Sequence, residues 1–221
     1  MTSESVPTDD NLPEAHQSIM RATYRALCNH GFAEMTMQDI ADEADKSTAV
    51  LHYHYDTKEN LLVEFLAYML TRLDEQIAEM EGASATERLQ CLFRRLSPDE
   101  GDADREQFYR ALLELRAQAP YREAYREQLR ANKASIQQMV ADIVRNGIET
   151  GEFRPVDPEQ TARLVLAALD GARGAAIALG DEEDPRAVRE GLNEFVLDSL
   201  RRENGENGEN GESGDDTEVE E

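Results

Sequence analysis

Between residues 58 and 81, apolar side chains recur at Leu62, Phe65, Leu66, Met69, Leu73, Ile77 and Met80. Steps of three and four residues place them on one face of a long amphipathic helix. No run of alternating β-branched residues competes with that pattern anywhere in the chain. Gly31, Gly82, Gly101, Gly151 and Gly180 punctuate the sequence instead, as breaks between helices. Helix starts are written in as well. Ser84-Ala85-Thr86-Glu87 is a capping box, in which serine accepts from the first turn and glutamate reaches back. Asp157-Pro158-Glu159-Gln160 supplies an N-cap, a proline at the first helical position and a glutamine three on, and Asp184-Pro185 repeats the device for the last helix. These signals predict an all-α chain of about nine helices.

Composition bounds what such a chain can do. With 47 acids against 23 bases the net charge is −24, which ordinarily disfavours a polyanionic partner. Only three bases are lysine (Lys46, Lys58 and Lys133), and the rest are arginine. An acid-rich, lysine-poor surface of this halophilic type suits molar internal salt, where the Debye length falls to about 3 Å and distant acids no longer repel nucleic acid. Residues 1–13 read as a flexible arm. Residues 203–221, with Glu-Asn-Gly three times over and nine acids without a base, read as a disordered, solubilising tail. Cys28 and Cys91 match no zinc or redox spacing, so they read as buried thiols in a reducing compartment, the cytoplasm. No leader-type segment is visible, and no apolar stretch approaches the roughly 20 residues of a membrane span.

Residues 15–62 carry the functional signal. Residues 15–30 form a first helix with Ile19, Ala22, Ala26 and Leu27 on one face, ended by Gly31 in the left-handed conformation. Thr36 caps a short helix over residues 37–43, with Asp39 three residues on. Ala44-Asp45-Lys46 turns the chain, Ser47 begins a second short helix ending near Tyr55, and Thr57 caps the helix that Lys58 opens. Two short helices joined by a tight turn make a helix-turn-helix, and the small Ala41 and Ala44 let them approach. Leu51 and Tyr55 face inward with Ile40, which leaves Thr48, Ala49, His52 and Tyr53 outward on a face without acids.

The string T-M-Q-D-I-A-D-E-A-D-K-S-T-A-V-L-H-Y-H-Y-D-T-K-E-N-L-L, residues 36–62, resembles the DNA-binding motif of the TetR (tetracycline repressor) family. The likeness rests on Thr36, Ile40, Ala41, Ala44, Ser47, Leu51, Tyr53, Tyr55, Lys58, Glu59 and Leu61-Leu62, with Gly31-Phe32 before them. Farther on, the segment G-I-E-T-G-E-F-R at residues 147–154, Asp157 and residues 167–171 are similar to BetI-type C-terminal domains. The resemblance implies a three-helix DNA-binding domain over residues 14–60 (motif 36–55) and a helical regulatory and dimerisation domain over 61–202. It implies a homodimer that pairs helices eight and nine, a palindromic double-stranded DNA operator, and a small-molecule effector of unknown identity. The second short helix then enters the major groove, where Thr48, Ala49, His52 and Tyr53 approach bases while Thr36, Lys46, Ser47, His54 and Lys58 hold phosphates. Phe93, Phe108, Tyr109, Tyr121 and Tyr125 fall where the family keeps its ligand pocket, with plain core packing as the alternative. Ala168, Gly171, Ala172 and Ala175 of the eighth helix, with Leu192, Phe195 and Val196 of the last, fall where it dimerises, with close packing inside one chain as the alternative. The chain departs from the family where Asp45-Lys46 replaces the common Gly-Val, so Lys46 must snorkel or point at DNA. It departs again where Thr48-Ala49 replaces Lys-Gly, which removes a phosphate contact.

Other functional classes find less support. His52 and His54, two apart on a helix, face different sides and offer no metal set. Gly171-Ala172-Arg173-Gly174 lies inside an apolar helical run, without the strand a phosphate loop requires, and residues 181–184 lack the alternating ligands of a calcium loop. No nucleophile–base–orienter set can be assembled, so an enzyme and a resident cofactor are not expected. An acidic helical adaptor that has lost DNA binding should carry acids on the reading face, and none occurs from Lys46 to Tyr55.

Overall fold

The computed structural model describes residues 12–80, 82–97, 103–180 and 183–201. Nine helices run through them: α1 Leu12–Glu34, α2 Met37–Glu43, α3 Thr48–His54, α4 Lys58–Ala78, α5 Ala85–Leu96, α6 Ala103–Gln118, α7 Glu123–Glu149, α8 Pro158–Leu179 and α9. The last begins as Asp184–Gly191, widens into a π-helical stretch over Leu192–Leu197 and closes with Asp198–Leu200. The all-α expectation holds. Among the described residues the only β-type pairing is an isolated bridge between Phe153 and Arg201. No described helix is long and apolar enough to cross a membrane.

Several boundaries follow the local signals. Thr36, Ser84 and Asp157 each accept from the backbone N–H three residues on, and Thr36 and Ser84 form complete capping boxes with Asp39 and Glu87. Others move. The first helix starts at Leu12, so the end of the expected arm is helical, and the acidic tail lies outside the described residues. Gly31 breaks α1 with φ 70 and ψ 175: positive φ as expected, but with an extended ψ in place of the left-handed helical one. Asp184, expected to cap α9, instead lies in its first turn beside Pro185.

Two apolar cores hold the helices together. The first joins Ile19, Met20 and Leu27 of α1 to Ile40, Leu51, Leu62 and Phe65, and closes over Phe108, Leu115 and Tyr125. Apolar packing therefore runs straight across residue 60, the expected domain boundary, because α6 and the start of α7 complete the core of the first three helices. The second core gathers Ile77, Leu89, Phe93, Val144, Phe153, Val165, Leu169, Leu192 and Leu200.

The segment between α7 and α8 staples this second core. The Glu152 carboxylate accepts from the N–H groups of Ala85 and Thr86, both at 2.8 Å, and so caps α5 with an anion where the helix dipole favours one. Phe153, wholly buried, donates its N–H to Gly147 O at 2.9 Å and lays its ring over that glycine. The Arg154 N–H reaches Leu200 O at 2.7 Å, tying in α9. A Cβ on Gly147 would stand 2.3 Å from a Phe153 ring carbon and 2.9 Å from Ala85 Cβ. Gly147→Ala is therefore expected to lower stability by roughly 1–3 kcal/mol in urea unfolding, even though alanine is the better helix former. Gly174→Ala, with nothing within 4 Å of its new Cβ, should not.

Candidate nucleic-acid interface and effector cavity

The turn between α2 and α3 is a Schellman closure. Asp45 N–H bonds to Asp42 O at 3.2 Å and Lys46 N–H to Ala41 O at 3.0 Å, with Asp45 at φ 53. That positive φ explains why glycine is common here and why aspartate, which tolerates it, is an acceptable replacement. Lys46 takes the position that normally carries the apolar contact of the motif. It is half-buried and lines a shallow cleft between α1 and α3 with Glu14, Val50 and His54.

α3 stands clear of the body. Ser47 N-caps it without a side-chain bond, so its first-turn amides keep no local side-chain acceptor. Ala49 and His52 are exposed and Tyr53 is 72% exposed, with His54 edge-on to the Tyr53 ring. Leu51 is buried beneath, and Tyr55 is half-buried with its hydroxyl 3.0 Å from His16 Nδ1. Burial, with Glu64 nearby, pushes the Tyr55 phenol up to about 12, so it stays a neutral hydrogen-bonding group. Thr48 is less open than its neighbours. Its hydroxyl donates to Gln38 Oε1, and Gln38 in turn donates to Asp42 at 2.7 Å. Gln38 was not singled out from the sequence, and this chain gives it a place at the edge of the reading face.

Two side chains from outside the helix-turn-helix hold its frame. The Lys58 ammonium donates to Phe32 O at 2.5 Å and Met35 O at 2.6 Å, and sits 4.8 Å from the centre of the Phe32 ring. Burial pulls its pKa below the ordinary lysine value, partly offset by Asp39, Glu114 and Glu34. The ammonium expected to hold a phosphate is thus already engaged by two carbonyls at the α1–α2 junction. Glu114 of α6 accepts the Phe32 N–H at 3.1 Å from the other side. The Thr36 hydroxyl is likewise engaged by Asp39, at 2.7 Å, and that bond holds the Asp39 carboxyl below its usual range.

A cavity of about 450 Å³ opens between α4, α6, α7 and α8. Phe108 and Tyr109 line it, as expected. The other three aromatic candidates do not. Phe93 is wholly buried in the second core, Tyr125 is buried edge-on to Phe32 in the first, and Tyr121 stands 83% exposed in the α6–α7 turn. Missed from the sequence were the polar groups of the wall. Asp170 accepts both prongs of Arg116, at 3.3 and 3.1 Å, and a further bond from Arg173. Burial raises the Asp170 pKa, but the two guanidiniums outweigh it and leave a net lowering. An Asp–Arg pair three apart in an otherwise small and apolar helix was the available signal.

The dimerisation candidates also divide. Ala172 and Leu192 are buried within the protomer, so their packing is already used. Gly171 and Phe195 are exposed, and Ala168, Ala175 and Val196 are half-buried. Around them Leu164 is 60%, Leu179 81% and Phe195 71% exposed.

A short, acid-free helix held outward on a capped turn, above a helical body with a cavity, defines a helix-turn-helix regulator of transcription. Residues 19–65 match "Bacterial regulatory proteins, tetR family" and residues 85–201 match "BetI-type transcriptional repressor, C-terminal". Over 82 residues the chain is 30% identical to the HTH-type transcriptional regulator BetI of Agrobacterium fabrum, covering 36% of this chain and only 40% of that relative. A TetR transcription regulator from Haloarcula marismortui shares the fold at TM-score 0.74 and 39% identity, over 86% of this chain and 100% of that one. A transcriptional regulator from Saccharomonospora viridis, solved in complex with choline, follows at TM-score 0.69 and 26% identity, over 86% and 100% of the two chains. The chain belongs to the TetR family of DNA-binding transcriptional regulators, with a C-terminal domain of BetI type.

Lys58→Met is expected to cost about 1–3 kcal/mol in urea unfolding, since two carbonyls lose their donor. Operator affinity measured on the folded fraction should stay within about threefold of the parent, where loss of a phosphate contact would lower it further and flatten its salt dependence.

Proposed function

We propose that the chain is a homodimeric, effector-responsive repressor that reads a palindromic operator in the cytoplasm with α3 of each copy. The observation that carries the reading is the uncharged, outward face of α3: Ala49, His52 and the 72% exposed Tyr53, rigidly backed by Leu51. Ala49 and the Tyr53 ring suit thymine methyls, and His52 can bond a base edge. Thr48, committed to Gln38 through its proton, keeps acceptor capacity for a base amino group. Ser47, Lys46, His54 and the first-turn amides of α3 contact phosphates. Thr36 and Lys58 serve as framework. The lysine-poor, acid-rich surface favours work in molar salt, where counterion release contributes little and base contacts must carry more of the affinity.

Pairing runs through α8 and α9. Leu164, Ala167, Gly171 and Ala178 are exposed along α8 in steps of three, four and seven, with the half-buried Gly174 and Ala175 between the last two, and Leu179 and Phe195 are exposed as well. A contiguous apolar face of this kind marks an association surface, and a second copy supplies the second reader that a palindrome needs.

The effector occupies the cavity and lowers operator affinity by favouring a different spacing of the readers. Support comes from α6, which lines the cavity with Tyr109 and Arg116 and holds the α1–α2 junction through Glu114. The choline of the Saccharomonospora protein does not carry over. A quaternary ammonium seeks aromatic faces, and of the three rings on this wall, Tyr24, Phe108 and Tyr109, the last already carries the Arg173 guanidinium at 4.8 Å from its centre, a charge that repels a cation.

With an operator selected from random DNA, Tyr53→Ala is expected to weaken binding by roughly 1–3 kcal/mol at unchanged helicity and melting temperature. Unfolding in place of weakened binding would mean that Tyr53 belongs to the core. Phe195→Glu should sediment as a monomer and bind the full operator at least about 100-fold more weakly, because the two half-sites are no longer linked. A dimeric Phe195→Glu protein would move the interface away from α9.

A further inference from the structure

Resting on the effector reading above, we infer that the cavity takes an amphipathic organic anion: an apolar chain or ring system ending in a carboxylate or similar group. The described lining bears Arg72, Arg95, Arg105, Arg116, Lys133 and Arg173 against one carboxylate, Asp170. That reverses the balance of a chain with 47 acids and 23 bases. Asp170 is shared by the paired prongs of Arg116 and by Arg173, so this three-residue cluster keeps an excess positive charge. Arg173 is anchored where that charge counts. Its side chain is only 11% exposed, its Nη1 donates to Leu96 O at 2.9 Å, and its guanidinium lies over the Tyr109 ring. Away from water an incompletely neutralised guanidinium attracts an anion strongly, and its planar fork has N–H groups beyond these two bonds. The same placement repels a cation and covers the face of Tyr109, one of three aromatic rings on the wall beside Tyr24 and Phe108.

The rest of the wall is mostly apolar, with the amides of Gln76 and Asn132 as exceptions. Leu66, Met69 and Leu73 of α4 line it with Leu129 and Ile136 of α7 and Leu166 of α8. The volume of about 450 Å³ falls in the range of small-molecule sites. One charged head against the α6–α8 cluster and an apolar body along α4 and α7 satisfy both parts.

Three probes with one tail separate the possibilities: decanoate, decanol and decyltrimethylammonium. Each is titrated calorimetrically into the full-length protein, below micelle-forming concentrations and in potassium chloride that keeps it folded. Decanoate is expected to bind one per chain and roughly tenfold or more tighter than decanol, with the ammonium weakest. Arg173→Gln should loosen decanoate by roughly tenfold, and if that variant fails to fold, Arg116→Gln carries the same expectation. Asp170→Asn should instead tighten decanoate severalfold by removing the competing carboxylate, a gain that a merely structural role cannot produce. Decanol or the ammonium binding as tightly as decanoate would overturn the anion assignment while leaving the cavity an effector site. Unchanged or weaker decanoate binding by folded Asp170→Asn would overturn it as well. Binding of none of the three would sink both the anion and the effector reading of this cavity.

Discussion

The posture of the reading helix depends on five residues, Gly31 to Met35, where α1 gives way to α2. A chain that leaves one helix and begins another exposes carbonyls and amides that need partners. Here those partners come from outside the unit: Lys58 closes on two carbonyls and Glu114 takes an amide. Because one grip belongs to α4 and the other to α6, the frame of the DNA-binding unit is set by the body beneath it. α1 and α6 also pack closely against each other. The base of α2 is therefore tied directly to α6, with no flexible linker between them.

Charge in this protein is unevenly placed. Acids crowd the surface, where solvent and salt screen them, while arginines converge on the cavity wall around Asp170. Screening weakens away from water, so the buried Arg173 acts more strongly on its surroundings than the exposed charges do. Net charge describes the solvent this chain prefers. It says little about either the operator or the effector.

What was legible in the sequence was local. Thr36, Ser84 and Asp157 announce their helices because each closes a bond within three residues, and the inward Leu51 and outward Tyr53 follow from helical spacing alone. What escaped was long-range. A lysine at a helix start reads as a phosphate ligand, and only the fold reveals carbonyls 26 and 23 residues earlier that engage it. α8 has small or apolar residues around most of its circumference, so periodicity cannot tell its inner Ala172 from its outer Gly171. Phe93 and Tyr125 are aromatic for packing, whereas the polar cluster of the cavity is only half visible: Asp170 and Arg173 share α8, but Arg116 joins them from α6.

The stretch from Gly147 to Arg154 carried the clearest C-terminal likeness, and its residues turn out to be joinery. One glycine clears space for a ring, one carboxylate closes a neighbouring helix, and one amide fastens the final helix. None of the residues from 147 to 154 lines the cavity. Kinship written in such a segment certifies the carpentry and leaves the room unfurnished: it speaks for how the helices are fastened and is silent on what the cavity admits.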